Sequence, residues 1–450
     1  MERSKDRIRA AAGNGGSTDS VFKKGTDMKM NSFQKYESSV SSYWRHFPCT
    51  FTKAKMSKLY DTEGKEYIDF FCGAGAVNYG HNNEYIMSKI IEYMQGDNII
   101  HALDMHTSAK ETFLEAFGEK ILKPRGLDYK LMFCSPSGTN ANEAALKMCR
   151  KATGRQNVFS FMGAFHGMSA GSLALTSSVY DRNGAGQSLP NVTFMPYPFG
   201  FAEQFDTIGY MESILESDHS GIEKPAAIIV ETVQAEGGIV VAPVEWLRRL
   251  RELCTKHGIF LICDDIQVGC GRTGNFFSFE RAGIVPDMVT MSKSIGGCGM
   301  PMSVVLLKPE LDVLLPGQHN GTFRGFQPAF IGATAALDIA DEAFFENVRK
   351  KDALVTEYYE QNIKTIDERI GHRGIGLIHG IVTDQLDGFN DGELNDKIQK
   401  ECFDRGLIIE LAGQRDCALK ILPALTITED ELIAGMDILR DSIKAVLAAK

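Results

Sequence analysis

A chain of 450 residues is too long for one small core, so two or three domains or one large α/β unit are expected. Its 48 basic and 58 acidic residues leave a net charge of -10, which argues against a general nucleic-acid binder with a basic face. No run of about 18 apolar residues reads as a membrane span, and ten cysteines fall without a CxxC or a metal-ligand rhythm, so a reducing, cytoplasmic setting is expected.

Residues 1–30 are polar, lack an apolar signal core and read as a flexible leader. Structure is expected from Asn31 onward. "KLYDTEGKEYIDFFCGAGAVNYGHNN" reads as a strand, a turn at 61–64, a second strand and a glycine-rich loop. Beyond it, strand candidates at 129–134, 157–161, 226–231, 259–264, 288–292 and 302–307 alternate with helical stretches such as 142–151 and 246–257. That alternation predicts an α/β architecture, a mainly parallel sheet flanked by helices. Residues 101–342 are expected to form the large domain; 343–450, with the segment 31–100, a smaller α+β domain.

In open α/β sheets, ligands collect beyond the carboxyl ends of the strands. At those ends stand Ser135–Thr139, Glu231, 264–267 and Lys293. In "FCSPSGTNANEAALK", Ser137, Gly138 and Thr139 sit where a helix opens. They either make an ordinary N-cap or offer free amides and a dipole to a phosphate. "GIFLICDDIQVGCGRTG" ends an apolar strand on Asp264 and Asp265, whose side chains point to opposite faces if the pleat continues. The G-x-G-x-x-G at 269–274 neither follows its strand directly nor opens a helix, which argues against a dinucleotide fingerprint.

"MVTMSKSIGG" then delivers Lys293 from an apolar strand into a serine and two glycines, which are expected to leave room for the chain around a ligand. Lysine is rarely buried without a partner. Pyridoxal phosphate (PLP) needs an amine for its aldehyde, an acid for its pyridine nitrogen and an anion site for its phosphate. Lys293, one aspartate and the 137–139 turn supply all three.

At this point a resemblance is plain. "FLICDDIQVGCGRTG", the lysine of "PDMVTMSKSIGG", "SGTNANEAALK", "GAFHGMSAGSLALT", "ETVQAEGG" and "GTFRG" resemble the class III (ω-amino acid) aminotransferases of PLP-dependent transferase fold type I. The likeness runs from about Ser32 to the C-terminus. Within the class, "FPCTFTKAKMSKLYD", "HALDMHTSAKETF", "LKPRGLDYK", "HNGTFRG" and "LKILPALTI" are similar to the L-2,4-diaminobutyrate:2-oxoglutarate transaminases of the ectoine route.

The resemblance implies a role for each matching residue. Lys293 bonds to the cofactor and then moves the proton; Asp264 pairs with the pyridine nitrogen. Asp265 stands where most members carry glutamate. Ile266 and Phe165 flank the ring, Gln267 approaches its phenolic oxygen, and Ser137, Gly138 and Thr139 hold the phosphate. His166 buttresses the pocket, and Thr322 reaches the phosphate of a neighbouring subunit, making a homodimer or tetramer with shared active sites. Glu236 and Lys420 form a carboxylate gate for substrate, with lysine in place of the usual arginine. His101 and His106 are structural, five residues apart, and no metal is expected. The implied reaction moves an amino group between glutamate/2-oxoglutarate and aspartate 4-semialdehyde/L-2,4-diaminobutyrate. Alternatives are an ornithine or 4-aminobutyrate aminotransferase, a PLP-dependent isomerase or racemase, or a silent binding protein on this fold.

Overall fold

The computed structural model describes residues 31–386 and 392–449, so the expected leader at 1–30 lies outside the described residues. The chain divides into two units at Pro48. In the first, residues 31–48 form two short helices, Ser32–Tyr36, capped by the Asn31 side chain, and Tyr43–His46.

The second unit is organised by a seven-stranded sheet. Its strands are β1 (Lys130–Phe133), β2 (Val158–Phe161), β3 (Val192–Met195), β4 (Ala227–Val230), β5 (Phe260–Asp264), β6 (Met288–Met291) and β7 (Val304–Leu307), in the order β1-β7-β6-β5-β4-β2-β3. All neighbours are parallel except β7, which runs antiparallel to both β6 and β1. Six of these strands coincide with the sequence expectation. β3 does not; its segment VTFM lies half-buried on the sheet edge and is a run of only four residues between Pro190 and Pro196.

The central strands are mostly apolar because both faces are covered. Ile228, Val230, Leu261 and Val289 join one core cluster, where the helix α2 (Val244–His257) contributes Trp246, Leu247 and Leu250. Their alternates Ala227, Ile229, Ile262 and Met288 join another, against α1 (Gly138–Thr153). Ala141, Ala144 and Ala145 on α1 are small enough to bring that helix close to the strands. A third long helix, α3, spans Gln327–Ile339.

Two four-stranded sheets and a two-stranded one, Val233–Gln234 with Val240–Val241, complete the described part of the unit. Residues Phe51–Lys55, Lys58–Asp61 and Glu66–Asp69 form an antiparallel meander whose last strand pairs in parallel with Leu407–Ile408. The C-terminal segment builds the other four-stranded sheet, in the order Gly371–Ile375, Ile378–Val382, Ala418–Ile421, Glu410–Ala412. Helices Glu342–Tyr358, Glu393–Asp404 and Glu429–Ala448 share a core with it. No described helix is long and apolar enough to cross a membrane.

Candidate active site

Parallel register brings the carboxyl ends of β4, β5 and β6 to one edge, with Cys263 beside Val230 and Asp264 beside Thr290. A cavity of about 280 Å³ opens there. Ten of the twelve residues assigned from sequence line it: Ser137, Gly138, Thr139, Phe165, His166, Glu236, Asp264, Ile266, Gln267 and Lys293. Lys420 lies behind the wall, touching Glu236, and Thr322 sits apart on an exposed turn, Thr322–Gly325, where its carbonyl bonds the His101 ring.

Asp264 is buried and held on both oxygens. Its Oδ2 accepts from the Asn142 amide at 2.8 Å and meets His166 Nδ1 at 2.7 Å, while Oδ1 accepts from the Ile266 amide at 3.1 Å. A carboxylate can only accept, so His166 carries its proton on Nδ1. Buttressing, the role expected of His166, has a geometric basis here: it orients the acid. Asn142 was missed from sequence. It stands one helical turn into α1 from Gly138, so the i, i+4 spacing places both on the same face.

Asp265 turns the opposite way, as pleating requires. It is buried against Ser278, whose amide donates at 2.9 Å and whose hydroxyl also donates to it. Burial pushes its carboxyl up to about 7. The acid at this position is therefore a packing element of the loop after β5.

Lys293 follows β6 with a left-handed backbone, φ 54°, an uncommon conformation for a non-glycine residue. Burial pulls its ammonium below the usual lysine value; Glu236 raises it and Lys420 lowers it further. Gly297 serves another purpose than the one expected. A Cβ on Gly297 would lie 2.5 Å from the Gly332 carbonyl of α3, so the glycine admits a helix, not a ligand.

At the other end of the cavity, Ser137 precedes α1 without a side-chain cap, so the leading amides of that helix stay available. The choice left open by the sequence thus falls against an ordinary side-chain cap. Gly138 is required by a close approach, since a Cβ there would meet Ile266 Cδ1 at 2.8 Å. The Thr139 hydroxyl is shared with Ser169 at 2.6 Å. Glu231, just past β4, also lines the cavity and accepts the Phe165 amide at 3.0 Å; burial, then repulsion from Asp264, raises its carboxyl well above the usual range.

Glu236 lies in the turn between Val233–Gln234 and Val240–Val241. Its Oε1 meets Lys420 Nζ at 2.7 Å, and Glu410 Oε2 meets the same nitrogen at 2.7 Å. Glu410 was absent from the sequence reading. It faces Lys420 directly across an antiparallel pair, a relation that no local motif shows.

The G-x-G-x-x-G segment opens no helix. Its Arg272 is fully buried and donates to the Leu377 and Pro423 carbonyls and to Asn78 Oδ1, tying distant segments behind the cavity. All ten cysteines are free thiols.

The donor set fits pyridoxal phosphate. An amine, a fixed carboxylate and an uncapped helix start share one cavity, and the buried His166 Nε2 and Gln267 Oε1 have no protein partner. Lys293, Asp264 and the 137–139 turn could hold the aldehyde, ring nitrogen and phosphate, with Phe165 and Ile266 beside the ring.

Comparison with known proteins agrees. Residues 40–443 match the family model described as aminotransferase class-III. A diaminobutyrate–2-oxoglutarate transaminase of Bordetella parapertussis is 49% identical over 424 residues, covering 94% of this chain and 96% of that protein. One from Oceanobacillus iheyensis is 50% identical over 417 residues, covering 92% and 96%. Among solved structures, an S-selective transaminase from Arthrobacter sp. superposes with a TM-score of 0.82 at 21% identity over 92% of this chain and 97% of that one.

Proposed function

The chain belongs to the class-III aminotransferases, and from that premise we propose that it transfers an amino group between glutamate/2-oxoglutarate and aspartate 4-semialdehyde/L-2,4-diaminobutyrate, using pyridoxal phosphate, in alternating half-reactions. The observation that carries the chemistry is Lys293 and Asp264 on neighbouring strand ends of one cavity. Relatives named diaminobutyrate–2-oxoglutarate transaminase, 49–50% identical over more than nine-tenths of the chain, support the substrate pair. Such a step would serve the ectoine route in the cytoplasm.

When bound, pyridoxal phosphate supplies an aldehyde that takes the substrate nitrogen and a ring that accepts electron density from the adjacent carbon. Lys293 then moves the proton at that carbon. Its depressed basicity leaves more of the amine neutral near pH 7, as a base requires. Asp264, fixed by His166 and Asn142, keeps a proton on the ring nitrogen. The start of α1 orients the phosphate. Glu236, the most exposed member of its ion group, turns aside so that Lys420 can meet the carboxylate of glutamate or 2-oxoglutarate. Thr322, exposed and outside this chain's own cavity, completes the phosphate site of a second subunit in a homodimer or a tetramer.

An acceptor panel with glutamate as donor tests the assignment. Aspartate 4-semialdehyde is expected to be preferred over glutamate semialdehyde and succinate semialdehyde, with one 2-oxoglutarate released per amino group moved. Preference for either rival would remove the diaminobutyrate assignment; turnover without 2-oxoglutarate would indicate an isomerase or racemase.

A further inference from the structure

Lys420 has no solvent exposure and two carboxylates at 2.7 Å each. One counter-ion suffices to neutralise a buried ammonium; this lysine has two, placed differently. The Glu236 side chain is 31% exposed and lines the cavity. That of Glu410 is 11% exposed, lies outside the lining and is locked in register, Glu410 opposite Lys420 between the strands Glu410–Ala412 and Ala418–Ile421. With both acids ionised the group sums to one negative charge, beside a cavity whose other acid at that wall, Glu231, is held toward its neutral form by burial. Both acids raise the Lys420 ammonium above its usual value against the cost of burial, so the lysine itself stays charged.

We propose that Glu410 is a resident counter-ion that makes the Glu236–Lys420–Glu410 group a net anion at the substrate end of the cavity. Among donors that react at an ω-amine, the site thereby selects those whose far end carries an ammonium beside its carboxylate, that is α,ω-diamino acids, over those whose far end is a carboxylate alone. Glu236 is the member that meets the substrate; Glu410 is a positioning residue acting through Lys420. The arrangement has a second consequence. When Glu236 turns aside, Lys420 remains paired with Glu410, so the ammonium is never left alone in an apolar wall, and its hold on an incoming carboxylate is correspondingly weakened.

The inference rests on the aminotransferase assignment, and its test separates the two. Half-reactions of the holoenzyme are followed with 2,4-diaminobutyrate and 4-aminobutyrate as donors, and the Kd of glutarate, an unreactive dicarboxylate, is measured by calorimetry. Glu410→Gln is expected to lower the kcat/KM ratio of diaminobutyrate to 4-aminobutyrate by about tenfold and to tighten glutarate several-fold, because one charge has gone from beside Lys420. Glu410→Asp, which keeps the charge, should restore both values to near the native ones. A merely structural Glu410 would lower both donors alike, leaving ratio and Kd unchanged, and that result overturns the proposal. In the native enzyme, which needs no variant to fold, 1,3-diaminopropane should outcompete 4-aminobutyrate as donor; the reverse order also overturns it. Failure of every amine to react would count against the aminotransferase assignment, and the glutarate Kd in Glu410→Gln would still decide the charge proposal.

Discussion

The two ends of the cavity are built from different kinds of chain. At the reacting end, Asp264 and Lys293 extend adjacent strands of one sheet, set side by side by a parallel register whose strands are buried on both faces, and the start of α1 follows β1 at the edge of the same sheet. At the far end, Glu236 comes from a turn, while Glu410 and Lys420 come from a separate C-terminal sheet. The first end is a rigid frame for one chemistry. The second is an electrostatic group assembled from residues nearly two hundred positions apart, which can change without disturbing the sheet.

Substitutions along the cavity should reproduce that division. Lys293→Ala is expected to cost about 10³–10⁴-fold in kcat, with loss of the covalent cofactor absorbance; retention of both would break the assignment of the reacting end. Lys420→Ala should act on binding instead, raising KM for 2-oxoglutarate by about 10–100-fold, because the substrate carboxylate loses a charged partner. Unchanged KM and kcat for 2-oxoglutarate would remove Lys420 from the gate. His166→Ala leaves Asp264 one charge-assisted bond short, and about a tenfold fall in kcat is expected with KM nearly constant. Gly138→Ala forces Ile266 to shift and should weaken cofactor retention by a few-fold, read as a Kd for pyridoxal phosphate.

The smallest effect concerns stability. The Asp265 carboxyl sits at about 7 in the fold and at about 4 in an unfolded chain. Between those values the folded protein holds a proton that the unfolded chain has released, so stability falls as pH rises through the window and is level above it. Asp265→Asn should remove that fall, shrinking the loss of Tm between pH 5 and pH 8 by about 2–4 °C.

The same contrast explains what could be read from sequence. The strand ends were legible because apolar runs terminate on polar residues at local spacing, so Lys293, the Asp264–Asp265 pair and the 137–139 turn could be placed without coordinates, while the choice of Asp264 came from the family resemblance. Asn142 was within reach, one turn along α1. Glu410 was not: its partner is defined by cross-strand register, and nothing local marks a glutamate as facing a buried lysine. Gly297 was misread for the same reason, since its neighbour Gly332 belongs to a helix 35 residues away. The edge strand β3 escaped because a half-buried strand needs no long apolar run.

The pairing of Glu66–Asp69 with Leu407–Ile408 bears on how the molecule is made. Roughly 340 residues separate the partners, which at about 5–20 residues per second is about 17–70 s of ribosomal synthesis. For that interval the nascent chain presents an unpaired edge, the kind that recruits other strands. Lys420, Glu410 and the carbonyl of Pro423 that receives Arg272 also emerge late. A polypeptide still on the ribosome can complete its sheet before its far wall exists, so the group proposed to tell one amine from another is acquired last.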